Sequence, residues 1–124
     1  MMHLRAGQRL RRNADFCAVR EQGRRLDCGA FLLTWRMRPA GSPAVPARVG
    51  VVASRVSVGN AVHRNRAKRR LREIYRRHQT LVPPGFDLVL TARAALLRLE
   101  FSEVEHRFVH ACNKLLLVTP PPNV

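Results

Sequence analysis

The sequence predicts an α+β fold: a two-layer α/β sandwich in which a small mixed sheet carries helices, with elements in the order α-β-β-α-β-α. Three observations support it. Residues 30–38 alternate apolar and mixed side chains, as a half-buried strand does. Residues 48–55 and 86–92 are Val- and Leu-rich runs, each entered from a Pro-containing break. Around them, apolar residues recur every three or four positions, the helical period.

Taken in order, residues 1–12 form a basic lead-in with Leu4 and Leu10 as its anchors. Asn13 suits the N-cap of a short helix that Gly23 ends. Phe16, Val19 and Gly23 share one side of it, so spacing alone makes Phe16 a core residue. In the strand at 30–38, Phe31, Leu33, Trp35 and Met37 face one way and Leu32, Thr34, Arg36 and Arg38 the other. A turn or flexible loop at 39–46 then joins it to the strand at 48–55, which is expected to be central and to pair with 30–38 as an antiparallel hairpin. Residues 57–60 cap a long helix, and Pro83-Pro84-Gly85 stops the chain before the strand at 86–92. A helical turn is expected at 94–99. Ser102 and Glu105 form a capping box for a last helix that buries Val104, Phe108, Ala111, Cys112 and Leu115. Residues 118–124 are a Pro-rich tail, so residues 1–124 make one domain with flexible ends.

The formal charge of +15 on 124 residues points to nucleic acid ahead of an anionic membrane surface. Cys17, Cys28 and Cys112 cannot all pair and lack CxxC spacing, so buried reduced thiols in a cytoplasmic protein are expected. No apolar run approaches the ~20 residues that span a bilayer, and no secretion signal opens the chain.

The most informative stretch is 59–77. From Arg64 to Arg77 it holds eight Arg or Lys residues against Glu73 alone, with no Gly or Pro. At 3.6 residues per turn, Ala67, Leu71, Ile74 and His78 form a mostly apolar stripe. Arg64, Lys68 and Arg72 follow at i, i+4, i+8 with Asn65 and Arg69 beside them, giving one basic face, while Arg66, Arg70 and Arg77 occupy the remaining surface. A solvated helix normally interleaves signs, because like charges at i, i+4 repel. A row that keeps this repulsion is suited to a phosphate backbone.

Catalytic constellations are lacking. The eight acids are scattered, and Glu100, Glu103 and Glu105 read as a favourable helix start. His106 and His110 stand at i, i+4 near Cys112 without the Glu of HExxH, so half-exposed helix histidines outweigh a metal site. No catalytic residue and no metal ligand is assigned, and the chain reads as one that holds RNA rather than cuts it.

The ordered residues Arg64-Asn65, Lys68-Arg69 and Arg72 resemble the signature of the bacterial ribonuclease P protein family. Residues 48–55, Asp15-Phe16 before Gly23, and Gly85-Phe86-Asp87 resemble its flanking elements, so the likeness spans roughly residues 4–116. The resemblance implies a left-handed β-α-β crossover, against the usual preference. It implies a protein subunit of a ribonucleoprotein endonuclease that removes the 5′ leader of precursor tRNA, with Mg²⁺ held mainly by the catalytic RNA. It assigns RNA binding to Arg64, Asn65, Lys68, Arg69 and Arg72 and an aromatic surface in a leader cleft to Phe16; Arg20, Thr34 and Arg36 are expected in the same cleft, with Arg20, Arg36 and Arg55 supplying phosphate contacts in place of stacking. Arg20 stands where the family often has a second aromatic, and Thr34 where some relatives carry Tyr. The partners implied are the catalytic RNA and precursor tRNA, with no membrane and no obligate protein partner. Two readings stay open beside it: a structural RNA-binding protein of ribosomal or assembly-factor type, and a DNA-binding protein, the latter weakened by the lack of a helix-turn-helix partner.

Overall fold

A computed structural model describes residues 9–10, 13–38 and 47–118, with side chains as far as residue 114. The elements are α1 (Asn13–Gln22), β1 (Arg24–Asp27), β2 (Phe31–Met37), β3 (Arg48–Val52), α2 (Arg55–Val58), α3 (Ala61–His78), β4 (Phe86–Ala92) and α4 (Phe101–Val118). Single 3₁₀ turns lie at Gln79–Leu81 and Ala94–Leu97. The expected loop at 39–46, the Leu4 anchor, the side chain of Leu115 and residues 119–124 lie outside the described residues.

The sheet order is β1-β2-β4-β3, with β4 antiparallel to β2 and parallel to β3. On one face, Phe31, Leu33, Trp35, Leu88, Leu90 and Val49 meet Ala67, Leu71, Ile74 and Tyr75 of α3 and Val104, Phe108, Ala111 and Cys112 of α4. Residues of the opposite parity turn the other way, where Val89 joins Val19 of α1 and Leu10 in a second cluster. The helix layer is therefore α3 with α4, and α1 lies on the far face of the sheet.

The expected hairpin of residues 30–38 with 48–55 does not form, and β3 is an outer strand rather than a central one. Its place is taken by β4, whose residues Phe86 to Leu90 are all buried. That run includes Asp87, which is 0% exposed. Its register partners are Arg36 on β2 and Arg48 on β3. Arg48 donates from Nε to Asp87 Oδ1 at 2.9 Å and from Nη2 to Oδ2 at 2.8 Å, and Arg38 Nη1 reaches Oδ1 at 2.9 Å. A buried carboxylate is tolerated only when paired this closely.

Three smaller expectations are also corrected. The strand at 48–55 ends at Val52, because the Ser54 hydroxyl accepts from Ser57 N (3.1 Å) and starts α2. The Ser102–Glu105 capping box is absent, since Ser102 already lies inside α4, and Glu105 instead meets His78 Nε2 at 2.9 Å. Cys17 is exposed rather than buried. Strand β1, unforeseen, pairs with β2 through a turn in which Asp27 Oδ1 accepts from Gly29 N at 2.9 Å and Gly29 takes a φ of 81°.

Gly50 in β3 is a close-approach glycine: a Cβ there would enter the Phe16 ring and lie 3.2 Å from Leu10 Cβ. Gly50→Ala is expected to lower the unfolding free energy by about 1–3 kcal/mol, read from a urea melt. An unshifted midpoint would mean the Phe16 ring swings aside freely. Burial also pushes the Cys28 thiol up to about 11 and Cys112 to about 12. Because the thiolate is the reacting form, titration of the folded chain with a thiol reagent at pH 8 should modify Cys17 first and Cys112 last. Modification of Cys112 at the rate of Cys17 would contradict the packing of α4.

Candidate nucleic-acid interface

Helix α3 is fixed at its start by Asn60, whose Oδ1 accepts from His63 N at 3.0 Å. Burial of Ala67, Leu71, Ile74 and Tyr75 then sets its rotation on the sheet. Sequence periodicity placed His78 in this stripe and overlooked Tyr75. Tyr75 is fully buried, stands edge-on to Phe108 at 6.4 Å between centroids, and its phenol is pushed up to about 12 chiefly by burial.

With the rotation fixed, the cations of α3 divide into two groups. One group is bound within the molecule. Arg70 Nη1 donates to the carbonyls of Leu96 (2.8 Å) and Leu99 (2.9 Å), clamping the 3₁₀ turn before α4. Arg76 and Arg77 both reach Glu73, and Arg77 also lies 5.0 Å over the Phe101 ring and 3.4 Å from Glu105. Arg76 hydrogen bonding holds the Glu73 carboxyl below the usual carboxylate range.

The other group is Arg64, Lys68, Arg69 and Arg72, and the exposed Arg66, on the groove side of the helix, likewise has no ion pair among the described residues. All eight acids of the chain lie among the described residues, and none pairs with these four. Asp15, Asp27, Glu73, Asp87, Glu103 and Glu105 are engaged by other cations, and Glu21 and Glu100 stand exposed without an ion pair among the described residues. Arg64 Nε is buried with no hydrogen-bond partner among the described residues. Arg72 is held below the usual guanidinium range, first by desolvation and then by the charge of Arg9. Asn65 is exposed, as is Arg55 at the start of α2. Arg69 differs slightly from expectation, since it also lines a groove of about 270 Å³ with Arg66, Arg70, Glu73 and Phe101.

The opposite face of the sheet holds the expected cleft residues. Asp15 of α1 approaches Arg48 at 3.6 Å, Gln22 accepts from Arg36 at 2.7 Å, and the Phe16 ring sits on Gly50. The helix therefore lies across two cross-strand rows, Arg36–Asp87–Arg48 and Thr34–Val89–Gly50. A third row, Leu32–Thr91–Val52, is half-exposed. Phe16 is half-buried beside it and Arg20 is exposed, but Thr34 is only 2% exposed and belongs to the packed floor. Arg36 is similarly committed, with Nη2 3.7 Å from Asp87. Leu32, Thr91 and Val52 were not foreseen as cleft lining. The alternation of 30–38 was their available signal, since it put Leu32 on the mixed face.

Arg9 is another omission, and no local pattern marks it. Val56 and Val62, 98% and 66% exposed, are likewise unexplained by folding. His106 and His110 border a cavity of about 410 Å³ with Asp27, Cys28, Arg107 and Lys114. Among the described residues, no group of three or more His, Cys, Asp or Glu could hold a metal ion. No helix among them is long and apolar enough to cross a membrane.

Known proteins resemble this chain over most of its length. The family model for ribonuclease P matches residues 4–116. The ribonuclease P protein component of Desulfovibrio desulfuricans is 44% identical over 85 residues, which is 68% of this chain and 63% of that protein. The corresponding Synechococcus protein is 34% identical over 116 residues, 91% of this chain and 87% of the relative. Among solved structures, the RNase P protein from Thermotoga maritima superposes with a TM-score of 0.72 at 30% identity, covering 86% of this chain and 95% of that one. The Staphylococcus aureus RNase P protein, at 23% identity, shares the fold with a TM-score of 0.73 over 88% of this chain and 95% of its own. With its matched span running almost from end to end, this chain belongs to the ribonuclease P protein family.

Proposed function

We propose that this chain is the protein subunit of a ribonuclease P whose catalytic component is RNA, and that it binds that RNA through the outer row of α3. The observation that carries this reading is the sorting of charge: Arg64, Lys68 and Arg72 follow one another along a helix while the acids pair elsewhere. Guanidinium groups cannot shed their protons near neutral pH, so an external polyanion is what relieves the repulsion. The single-stranded leader of precursor tRNA lies along the half-exposed row Leu32–Thr91–Val52, with Phe16 at its rim offering an aromatic surface and Arg20 a phosphate contact.

The carboxylates of this chain do not suit a Mg²⁺ site. Most are engaged by arginines, and the two that are not, Glu21 and Glu100, belong to α1 and to the start of α4. Mg²⁺ therefore falls to the RNA. The part of the protein is to neutralise phosphates, which lowers the Mg²⁺ needed for the RNA to fold and to hold its substrate.

Reconstitution with the ribonuclease P RNA of the same organism tests the assignment. Added protein is expected to restore precursor-tRNA cleavage at low Mg²⁺, and an absence of stimulation at every Mg²⁺ concentration would favour the ribosomal-type reading. The surface itself is tested by salt. With about five phosphates contacted, log affinity should fall with log salt at a slope of roughly −3.5 to −4.5. Arg64→Ala and Lys68→Ala should each flatten it by about one unit. Arg70→Ala, which frees two backbone carbonyls, should lower the melting temperature and leave the slope in place. If Arg66→Ala and Arg70→Ala flatten the slope more than the outer row does, the wrong side of α3 has been chosen.

A further inference from the structure

Residues 9–10 reach the outer edge of β3. Arg9 forms a parallel bridge with Val49, and Leu10 N donates to Val49 O at 3.0 Å. Neighbouring residues of an extended segment point to opposite faces. Leu10 turns to the α1 side, where it is buried with Val19 and Val89. Arg9 shares the parity of Val49 and turns to the α3 side, where its charge acts on Arg72.

Arg9, placed at the β3 edge by its bridge to Val49, and Arg72 of α3 thus lie near enough for the charge of one to act on the other. Among the described residues, neither forms an ion pair with a carboxylate. Arg9 Nε is buried and without a hydrogen-bond partner among the described residues. A buried donor left unpaired is destabilising, and a second cation beside it adds to the penalty. An oxyanion between the two groups answers both.

Resting on the proposed RNA contact, we infer that Arg9 and Arg72 grip a single RNA phosphate between them, and that this grip fastens residues 9–10 to the edge of β3. RNA binding by α3 and docking of residues 9–10 are then one event. Because Leu10 packs 3.2 Å from where a Gly50 Cβ would stand, beside the Phe16 ring, fastening Arg9 also braces the cleft on the other face.

A double-mutant cycle on the full chain with ribonuclease P RNA tests this, using Arg9→Ala, Arg72→Ala, the double variant and Arg64→Ala. Loss of one charge-assisted contact should weaken binding about tenfold for either single change. The double variant should bind scarcely more weakly than either, because one shared phosphate can be lost only once. Multiplying losses, on the order of a hundredfold in the double variant, would place the arginines on separate phosphates and overturn the inference. So would an Arg9→Ala variant that binds like the parent while Arg64→Ala binds worse. If Arg64→Ala also binds like the parent, the RNA-contact reading itself has failed. Hydrogen exchange supplies a readout that folding alone does not move: RNA should protect the Leu10 amide in the parent and leave it unprotected in Arg72→Ala. Equal protection in both would break the link between grip and docking.

Discussion

Asp87, the second residue of the inner strand β4, has no exposed surface, and the order of the strands follows from its need for partners. A carboxylate taken from water must find cations, and here they come from both neighbours, Arg36 and Arg38 on the β2 side and Arg48 on β3. Pairing β2 directly with β3 as a hairpin would have deprived Asp87 of cations on one side. It would also have crowded those arginines together without a carboxylate. Inserting β4 between them resolves both problems. Arg48 then extends the network to Asp15, tying α1 to the same node. Removing one member of such a buried set typically costs about 3–5 kcal/mol, more than any exposed ion pair of this chain could supply.

That node also explains how so basic a chain keeps a defined shape. With 23 Lys and Arg against 8 acids, most cations must do without a carboxylate. The acids are placed where a cation must be held in or near the protein: Asp87 beneath α1, Glu73 and Glu105 where α3 meets α4. Backbone carbonyls do the same for Arg70 and, through Cys28 O at 2.9 Å, for Arg107. Among the described residues, five of the cations left without a carboxylate, Arg64, Arg66, Lys68, Arg69 and Arg72, lie on α3, so part of the surplus charge is concentrated on that helix.

The legible part of the fold was the part written in periodicity. The stripe of Ala67, Leu71 and Ile74, the alternation around Phe31, Leu33 and Trp35, and the Pro-Pro-Gly break before Phe86 each specify a local choice that tertiary packing upholds. Strand neighbours are another matter, because pairing depends on partners far along the chain. The Val-rich run at β3 suggested a central strand, yet Asp87, a polar residue inside an apolar run, was the better sign of one. Strand β1 escaped notice because Arg-Arg-Leu-Asp has no apolar face, although Asp27-Cys28-Gly29 spelled the turn that closes it. The basic row of the candidate site could be read from spacing alone. Arg9 could not, since its position depends on a sheet edge that forms only after β3 and β4 have paired.

The two candidate surfaces face opposite sides of one sheet, the basic row on the α3 side and the half-exposed row of Leu32, Thr91 and Val52 on the α1 side. The β3 edge touches both. An outer strand with open hydrogen-bonding groups invites unwanted pairing, and residues 9–10 close part of it while sending one side chain to each face. Such a short segment gains little from a single bridge and a single buried Leu, so its docking is sensitive to whatever else holds it. An anion at Arg9 therefore acts with leverage. The same few residues that complete the phosphate contact also press Leu10 against the floor on which Phe16 rests, and a signal of one charge on one face becomes a change of packing on the other.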